Sequence, residues 1–278
     1  MYQEPFEQKP DPESGQEPEH EAAAHKARRG IYLLPNLFTT AGLFAGFYGI
    51  VAAIGGRYEI AAMAIFIAMI MDGIDGRVAR LTNTQSEFGV QYDSLTDMVC
   101  FGLAPALIMY QWALRDLAAF GWFWAKIGWL TAFIYAAGGA LRLARFNAQV
   151  GVADKRYFQG LPSPSAAAVV TGLVWVGADL GADGSNFAWV GLIVTLCAGL
   201  LMVSNFRYYS FKEIDFKNKV PFMVLLLAVL ILVFASLDPP KVLFLGFLTY
   251  ALSGPGFTVW RLRQHRRAKH EPPSDKAF

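Results

Sequence analysis

Long apolar runs separated by short polar connections dominate the chain. About 20 predominantly apolar residues carry a helix across the hydrocarbon core of a bilayer, and window hydropathy gives about eight stretches that meet or approach that length. They cover residues 32–55, 57–80, 89–114, 120–141, 163–181, 186–205, 219–237 and 241–260. The short connections place antiparallel neighbours side by side in one bundle. The pattern therefore predicts an all-α integral membrane protein, with a transmembrane domain over 30–260, a leading segment 1–29 and a trailing basic segment 261–278.

The leading segment differs in kind. Its first 24 residues hold seven acidic residues, four prolines and a single Lys or Arg, Lys9. That composition buries too little apolar surface to offset chain entropy, so a disordered acidic tail is expected, ending in basic Lys26, Arg28 and Arg29. A polar, acidic start also lacks the pattern of a cleavable signal peptide.

Charge then orients the bundle. With an even number of spans, all but four of the 24 Lys and Arg residues fall on the side of the two termini. Arg77 and Arg80, Arg142, Arg145, Lys155 and Arg156, and Arg207, Lys212, Lys217 and Lys219 fill the connections on that side. The exceptions are Arg57, Arg115, Lys126 and Lys241. The positive-inside rule makes both termini cytoplasmic. A bacterial inner membrane is the expected location. Trp112, Trp122, Trp124 and Trp129 read as an interfacial belt around the third connection. Gly42 with Gly46, and Gly138 with Gly139, permit close helix packing within the chain or with a second copy.

Composition supports the bilayer and excludes other classes. The chain is 55% hydrophobic and 17% charged, with a mean hydropathy of +0.35, whereas a soluble domain carries about 25% charged residues. A net charge of +2, with no basic stripe interleaved with aromatics, gives no footing for nucleic acid. Cys100 and Cys197 lie far apart in apolar segments and read as packing residues.

One stretch breaks the membrane pattern. MDGIDGRVARLTNTQSEFGVQYDSLTD, residues 71–97, puts four aspartates at the facing ends of two apolar helices. Asp72 and Asp75 are three apart, Asp93 and Asp97 four apart, so each pair shares a helix face. The turn over 81–88 brings the pairs together. The helix dipole favours Asp93 and Asp97 near a helix start and opposes Asp72 and Asp75 near a helix end. Four carboxylates at the edge of a low-dielectric region repel one another, so a cation is expected among them. Carboxylate oxygens without Cys or His suit a hard ion, Mg²⁺ or Mn²⁺. Gly76 and Ala79 keep the adjoining face small, Arg80 can pair with phosphate oxygens, and Ser86 and Gly89 flank the turn. Metal ions beside an arginine are what displacement at phosphorus requires.

These residues form the pattern Asp72-x2-Asp75-Gly76-x2-Ala79-Arg80-x8-Gly89-x3-Asp93-x3-Asp97, eight fixed residues over 26 positions. It resembles the signature of the CDP-alcohol phosphatidyltransferases at every fixed position. The resemblance implies that family's transmembrane helical fold, and a site in which Asp72, Asp75 and Asp93 ligate two divalent ions with Asp97 touching one of them. It implies further that Asp97 is the general base and that Gly76, Ala79, Arg80, Ser86 and Gly89 line the CDP-lipid site. Asn36 and Thr39, in PNLFT, resemble the Asn-x-x-Thr element that the family adds to the same pocket; Pro35 and Asn36 also read simply as a helix start.

The acceptor is less plainly written. DSLTDMVCFGLAPA (93–106) and RLARFN with FQGLPSPSAAA (142–168) resemble the phosphatidylserine synthase branch, over about residues 30 to 210. That likeness implies CDP-diacylglycerol and L-serine as substrates, phosphatidylserine and CMP as products, and a homodimer among membrane lipids. Arg142 and Arg145 then read as partners for the serine carboxylate, or equally as positive-inside residues that meet lipid headgroups. Pro162 and Pro164 predict extended or helix-entry backbone in GLPSP, with Ser163 or Ser165 as a substrate contact, or Ser165 equally as a helix cap. Alternatives at this stage are a phosphatidylcholine or phosphatidylglycerophosphate synthase, and an ion-coupled carrier. Carrier sites lie near the membrane midplane between broken helices, and these aspartates lie at one face.

Overall fold

The computed structural model describes the backbone of residues 17–82, 84, 86–148, 157–209, 226, 230, 233–234 and 236–270. Most of the predicted 219–237 span lies outside the described residues, as do the start and end of the two tails. Lys9, Lys155, Arg156, Lys212, Lys217, Lys219 and Lys276 of the charge asymmetry fall there too.

Helix α1 runs over Glu17–Ile54, starting well before the predicted first span and passing through Pro35. Gly55 and Gly56 end it, and Gly56 adopts φ +73°, a backbone conformation that favours glycine. The reversal lets α2 (Tyr58–Leu81) return along α1. A second reversal leads into α3 (Glu87–Asp97), a π-helical segment (Met98–Leu103) and α4 (Ala104–Trp112). A 3-10 segment (Leu114–Phe120) precedes α5 (Trp122–Ala148). Then follow β1 (Tyr157–Gln159), α6 (Ser163–Asp179), α7 (Ala188–Val203), β2 (Arg207–Tyr209) and α8 (Pro239–His270). The two strands pair antiparallel, Phe158 opposite Tyr208. The architecture is the expected helical membrane bundle, with this short pair added at one end.

Small residues face inward and large ones outward. Ala52, Ala53, Ala61, Ala64 and Ala68 are buried where α1 meets α2. Leu37, Phe44, Phe47, Ile54, Ile67 and Ile70 of the same helices are exposed. In lipid, where tails solvate apolar side chains, helices associate through close backbone approach, and this distribution serves that. Glycine carries the closest contacts. A Cβ on Gly138 of α5 would sit 2.6 Å from the carbonyl oxygen of Gly199 in α7. One on Gly46 would sit 2.6 Å from Cys100 Sγ, and one on Gly139 3.3 Å from Gly102 Cα. Gly42 packs on Met71 and Ala68 of α2. The glycines singled out in the sequence are thus engaged within the chain.

Helix α6 sits at the centre, against α2, α4, α7 and α8, and is buried along nearly its whole length. Trp112 does not join an interfacial belt. It is 3% exposed, with its indole over Gly177 and its ring 5.6 Å from that of Phe187. The absence of a side chain at Gly177 leaves a slot in α6 that only an inward-turned ring fills. Trp122 and Trp129 are exposed, as an interfacial belt requires. Cys100 is buried and Cys197 is exposed on α7.

Among the described residues, four stretches are long and apolar enough to cross a membrane: Pro35–Ile54, Glu87–Phe120, Trp122–Ala148 and Gly184–Val203. Three other predicted spans, 57–80, 163–181 and 241–260, are not among these four, the first two for visible reasons. Helix α2 carries Glu59, Asp72, Asp75, Arg77 and Arg80. Helix α6 has 17 residues, about 26 Å at the usual rise, and its neighbours cover it.

Candidate active site

A capped turn sets the geometry of the site. The N–H of Thr82 donates to the carbonyl of Val78, closing α2, and that of Thr84 donates to the carbonyl of Ala79 at 3.1 Å. Ser86 then starts α3, its Oγ accepting from the Gly89 N–H at 3.0 Å. Gly89 is constrained twice, because a Cβ there would lie 3.1 Å from Ser86 Oγ and 3.3 Å from Asn36 Oδ1. Thr40 of α1 accepts or donates to the Tyr92 hydroxyl at 3.0 Å, tying α1 to α3.

Across this turn the aspartates converge. One carboxylate oxygen from each of Asp72, Asp75 and Asp93 lies within 4.8 Å of the others. Asp75 is 5% exposed, and Thr39 reaches from α1 to donate to its Oδ2 at 2.7 Å. Asp97 stands next to this trio, lining the same cavity as Asp72, Asp75 and Asp93. The expected dipole support for Asp93 and Asp97 is not available. They are the seventh and eleventh residues of a helix that starts at Glu87, and the dipole effect fades within the first turn. Crowded carboxylates without that support make a cation the natural counterweight, and three carboxylates at this spacing fit a hard metal ion. Cys100 lines the same cavity, but its thiol donates to the Gly42 carbonyl at 3.3 Å.

The π-helical segment directly after Asp97 was not foreseen. Its wide turn is pinned from both sides. The Tyr135 hydroxyl of α5 donates to the Phe101 carbonyl at 3.0 Å, and the thiol of Cys100 in the segment meets α1. Single π turns are frequent at functional sites, and hydropathy carries no signal for them. Thr96 carries no sequence signal either; it is buried in the cavity wall, and its Oγ has no hydrogen-bond partner among the described residues.

Around the aspartates the remaining candidates divide. A Cβ on Gly76 would meet nothing within 4 Å, so this glycine leaves open space rather than making a helix contact. Ala79 is half-buried, and Arg80 is exposed at the last turn of α2. Arg142 of α5 is half-buried; its Nη1 donates to Ser163 Oγ at 3.1 Å, and Asp97 lies within its electrostatic reach. Arg145 turns elsewhere. Its guanidinium donates to Gln159 Oε1 at 2.6 Å, Asn205 Oδ1 at 2.7 Å and the Val203 carbonyl at 3.4 Å. Ser163 and Pro162 do open α6, as the prolines predicted.

Comparison with known proteins gives the same reading. Residues 32–197 match the CDP-alcohol phosphatidyltransferase family. The CDP-diacylglycerol–serine O-phosphatidyltransferase of Helicobacter pylori is 38% identical over 207 residues, covering 74% of this chain and 81% of that protein. The enzyme of the same name from Mycobacterium leprae is 30% identical, covering 81% of this chain and 75% of its own. That from Methanocaldococcus jannaschii is 35% identical over 52% of this chain and 61% of its own. With its aspartate cluster in place and its apolar helices spanning a membrane more than once, the chain belongs to the CDP-alcohol phosphatidyltransferase family.

Proposed function

We propose that this protein transfers the phosphatidyl group of CDP-diacylglycerol to the hydroxyl of L-serine, giving phosphatidylserine and CMP. The observation that carries the reading is the trio of carboxylates within 4.8 Å, with a fourth, Asp97, beside it. The similar proteins from bacteria and an archaeon, named for serine as acceptor, support the choice of alcohol.

Asp72, Asp75 and Asp93 would hold the divalent ions, two of Mg²⁺ or Mn²⁺, with Asp97 touching one. Bound there, such ions neutralise the pyrophosphate and align the attacking and leaving oxygens. The chain's own residues do the rest. Thr39 fixes the carboxylate of Asp75 through its hydrogen bond. The space above Gly76 and Ala79 admits the CDP-lipid, and Arg80 pairs with its phosphate oxygens. Ser86 accepts from Gly89, which leaves its own hydroxyl proton to donate to the same ligand, with Asn36 alongside. Asp97 takes the proton from the serine hydroxyl. The serine oxygen then bonds to the phosphorus that carries diacylglycerol, and the bond to the bridging oxygen breaks with its electron pair leaving on CMP. Arg142 pairs with the serine carboxylate, while Arg145 is engaged by Gln159 and Asn205 instead.

The site lies on the cytoplasmic face of a bacterial inner membrane in this reading, supported by the basic connections beside it. A homodimer belongs to the same proposal and would use a surface other than the four engaged glycines. The test supplies the detergent-solubilised protein with CDP-diacylglycerol, Mn²⁺ or Mg²⁺, and one alcohol at a time. CMP release with L-serine is expected. Release with glycerol 3-phosphate and none with serine would overturn the acceptor assignment.

A further inference from the structure

Within electrostatic reach of Asp97, α5 carries an arginine whose bonds are incomplete. Arg142 places Nη1 on Ser163, which is 2% exposed. Its Nε is out of solvent and has no hydrogen-bond partner among the described residues. A buried cationic donor left in that state is costly, and the cost is relieved by an anion that takes both the Nε and the Nη edge. A carboxylate has the matching two-oxygen geometry. Asp97 lies near enough to interact with the same guanidinium, so an acceptor held there has its hydroxyl close to the base.

A third element reaches this arginine. Tyr250 of α8 lies within its electrostatic range. Tyr250 packs its ring 5.6 Å from that of Tyr208, whose hydroxyl donates to the Ala251 carbonyl at 3.0 Å and whose ring covers Gly254. Helix α8 is thereby held in one register against the site. It also lies beyond residues 32–197, the stretch matched to the family.

We propose that Ser163 and Tyr250 are positioning residues of an acceptor-carboxylate subsite built on Arg142, with Ser163 turning the free guanidinium edge toward the acceptor and Tyr250 closing the subsite from α8. The proposal rests on the serine reading above. It gives α8 a part in acceptor selection: an amino acid is preferred over an otherwise equal alcohol without a carboxylate.

The experiment compares L-serine with L-serinamide, which keeps the hydroxyl and the amine but is neutral at the acyl end. Full-length Ser163→Ala, Ser163→Thr and Tyr250→Phe are assayed by CMP release. Ser163→Ala is expected to raise the KM for serine about tenfold, the loss expected of a bond to a charged group, and to shrink the preference for serine over serinamide by a similar factor. The KM for CDP-diacylglycerol stays where it was, and Ser163→Thr restores the preference. Tyr250→Phe, which keeps the ring on Tyr208, moves the preference in the same direction and carries the test alone if Ser163→Ala does not fold. An unchanged preference, or equal losses with both acceptors and with CDP-diacylglycerol, would overturn the subsite. No serine-dependent CMP release from the unsubstituted protein would overturn the functional reading itself.

Discussion

The bond from Thr39 to Asp75 joins two helices through one hydroxyl, and it orients a buried carboxylate. Replacing Thr39 by Val keeps the shape and removes the donor. Residues that orient metal ligands typically cost about 10–100-fold in metal affinity when lost, so the Mn²⁺ concentration for half-maximal CMP release should rise by about that factor, with Thr39→Ser near normal. Asp97→Asn tests the proton instead. Turnover should fall by about 10²–10⁴-fold, the usual worth of a general base, while binding of CDP-diacylglycerol, read by titration, persists. At this scale the sequence was legible where spacing encodes chemistry: all four aspartates converge as their three- and four-residue intervals implied. It was silent where contacts are long-range. Nothing local in the sequence shows that Arg145 is consumed by Gln159 and Asn205, or that Tyr250 approaches Arg142.

Helices were readable to within a few residues where apolar composition changes sharply, as at the ends of α2 and α7. The start of α1 was not, because a polar acidic stretch is continuous with the helix from Glu17. The π-helical segment was invisible, since one wide turn leaves the apolar composition of MVCFGL unaltered. The close crossing of α5 and α7 gives a prediction at this scale. A side chain at Gly138 meets the backbone of Gly199, which cannot swing aside. Gly138→Val should therefore overpack the interface, at a cost of about 1–3 kcal/mol or more, and lower the unfolding temperature in detergent. Gly76→Ala meets no atom of the chain, so it should leave that temperature unchanged and instead weaken CDP-diacylglycerol binding.

Among the described residues, alanine and glycine line the closest helix contacts and most exposed large apolar side chains are phenylalanine, leucine, isoleucine and valine, with the polar cluster at the helix ends. That plan was visible in the hydropathy pattern, which set the aspartates at the ends of apolar helices. The inward turn of Trp112 was not, since a tryptophan near a predicted interface reads the same whether it faces lipid or a glycine slot. Removing divalent ions with EDTA should abolish CMP release, and Mg²⁺ or Mn²⁺ should restore it, because oxygen ligands alone hold the site. The apolar exterior has a kinetic consequence as well. One reactant arrives from water and the other is confined to the two-dimensional phase in which the bundle is dissolved, so the relevant concentration of CDP-diacylglycerol is its mole fraction there. In mixed micelles, adding detergent at constant amounts of enzyme and lipid substrate should slow the reaction by surface dilution, while enlarging the aqueous volume at fixed serine concentration should not.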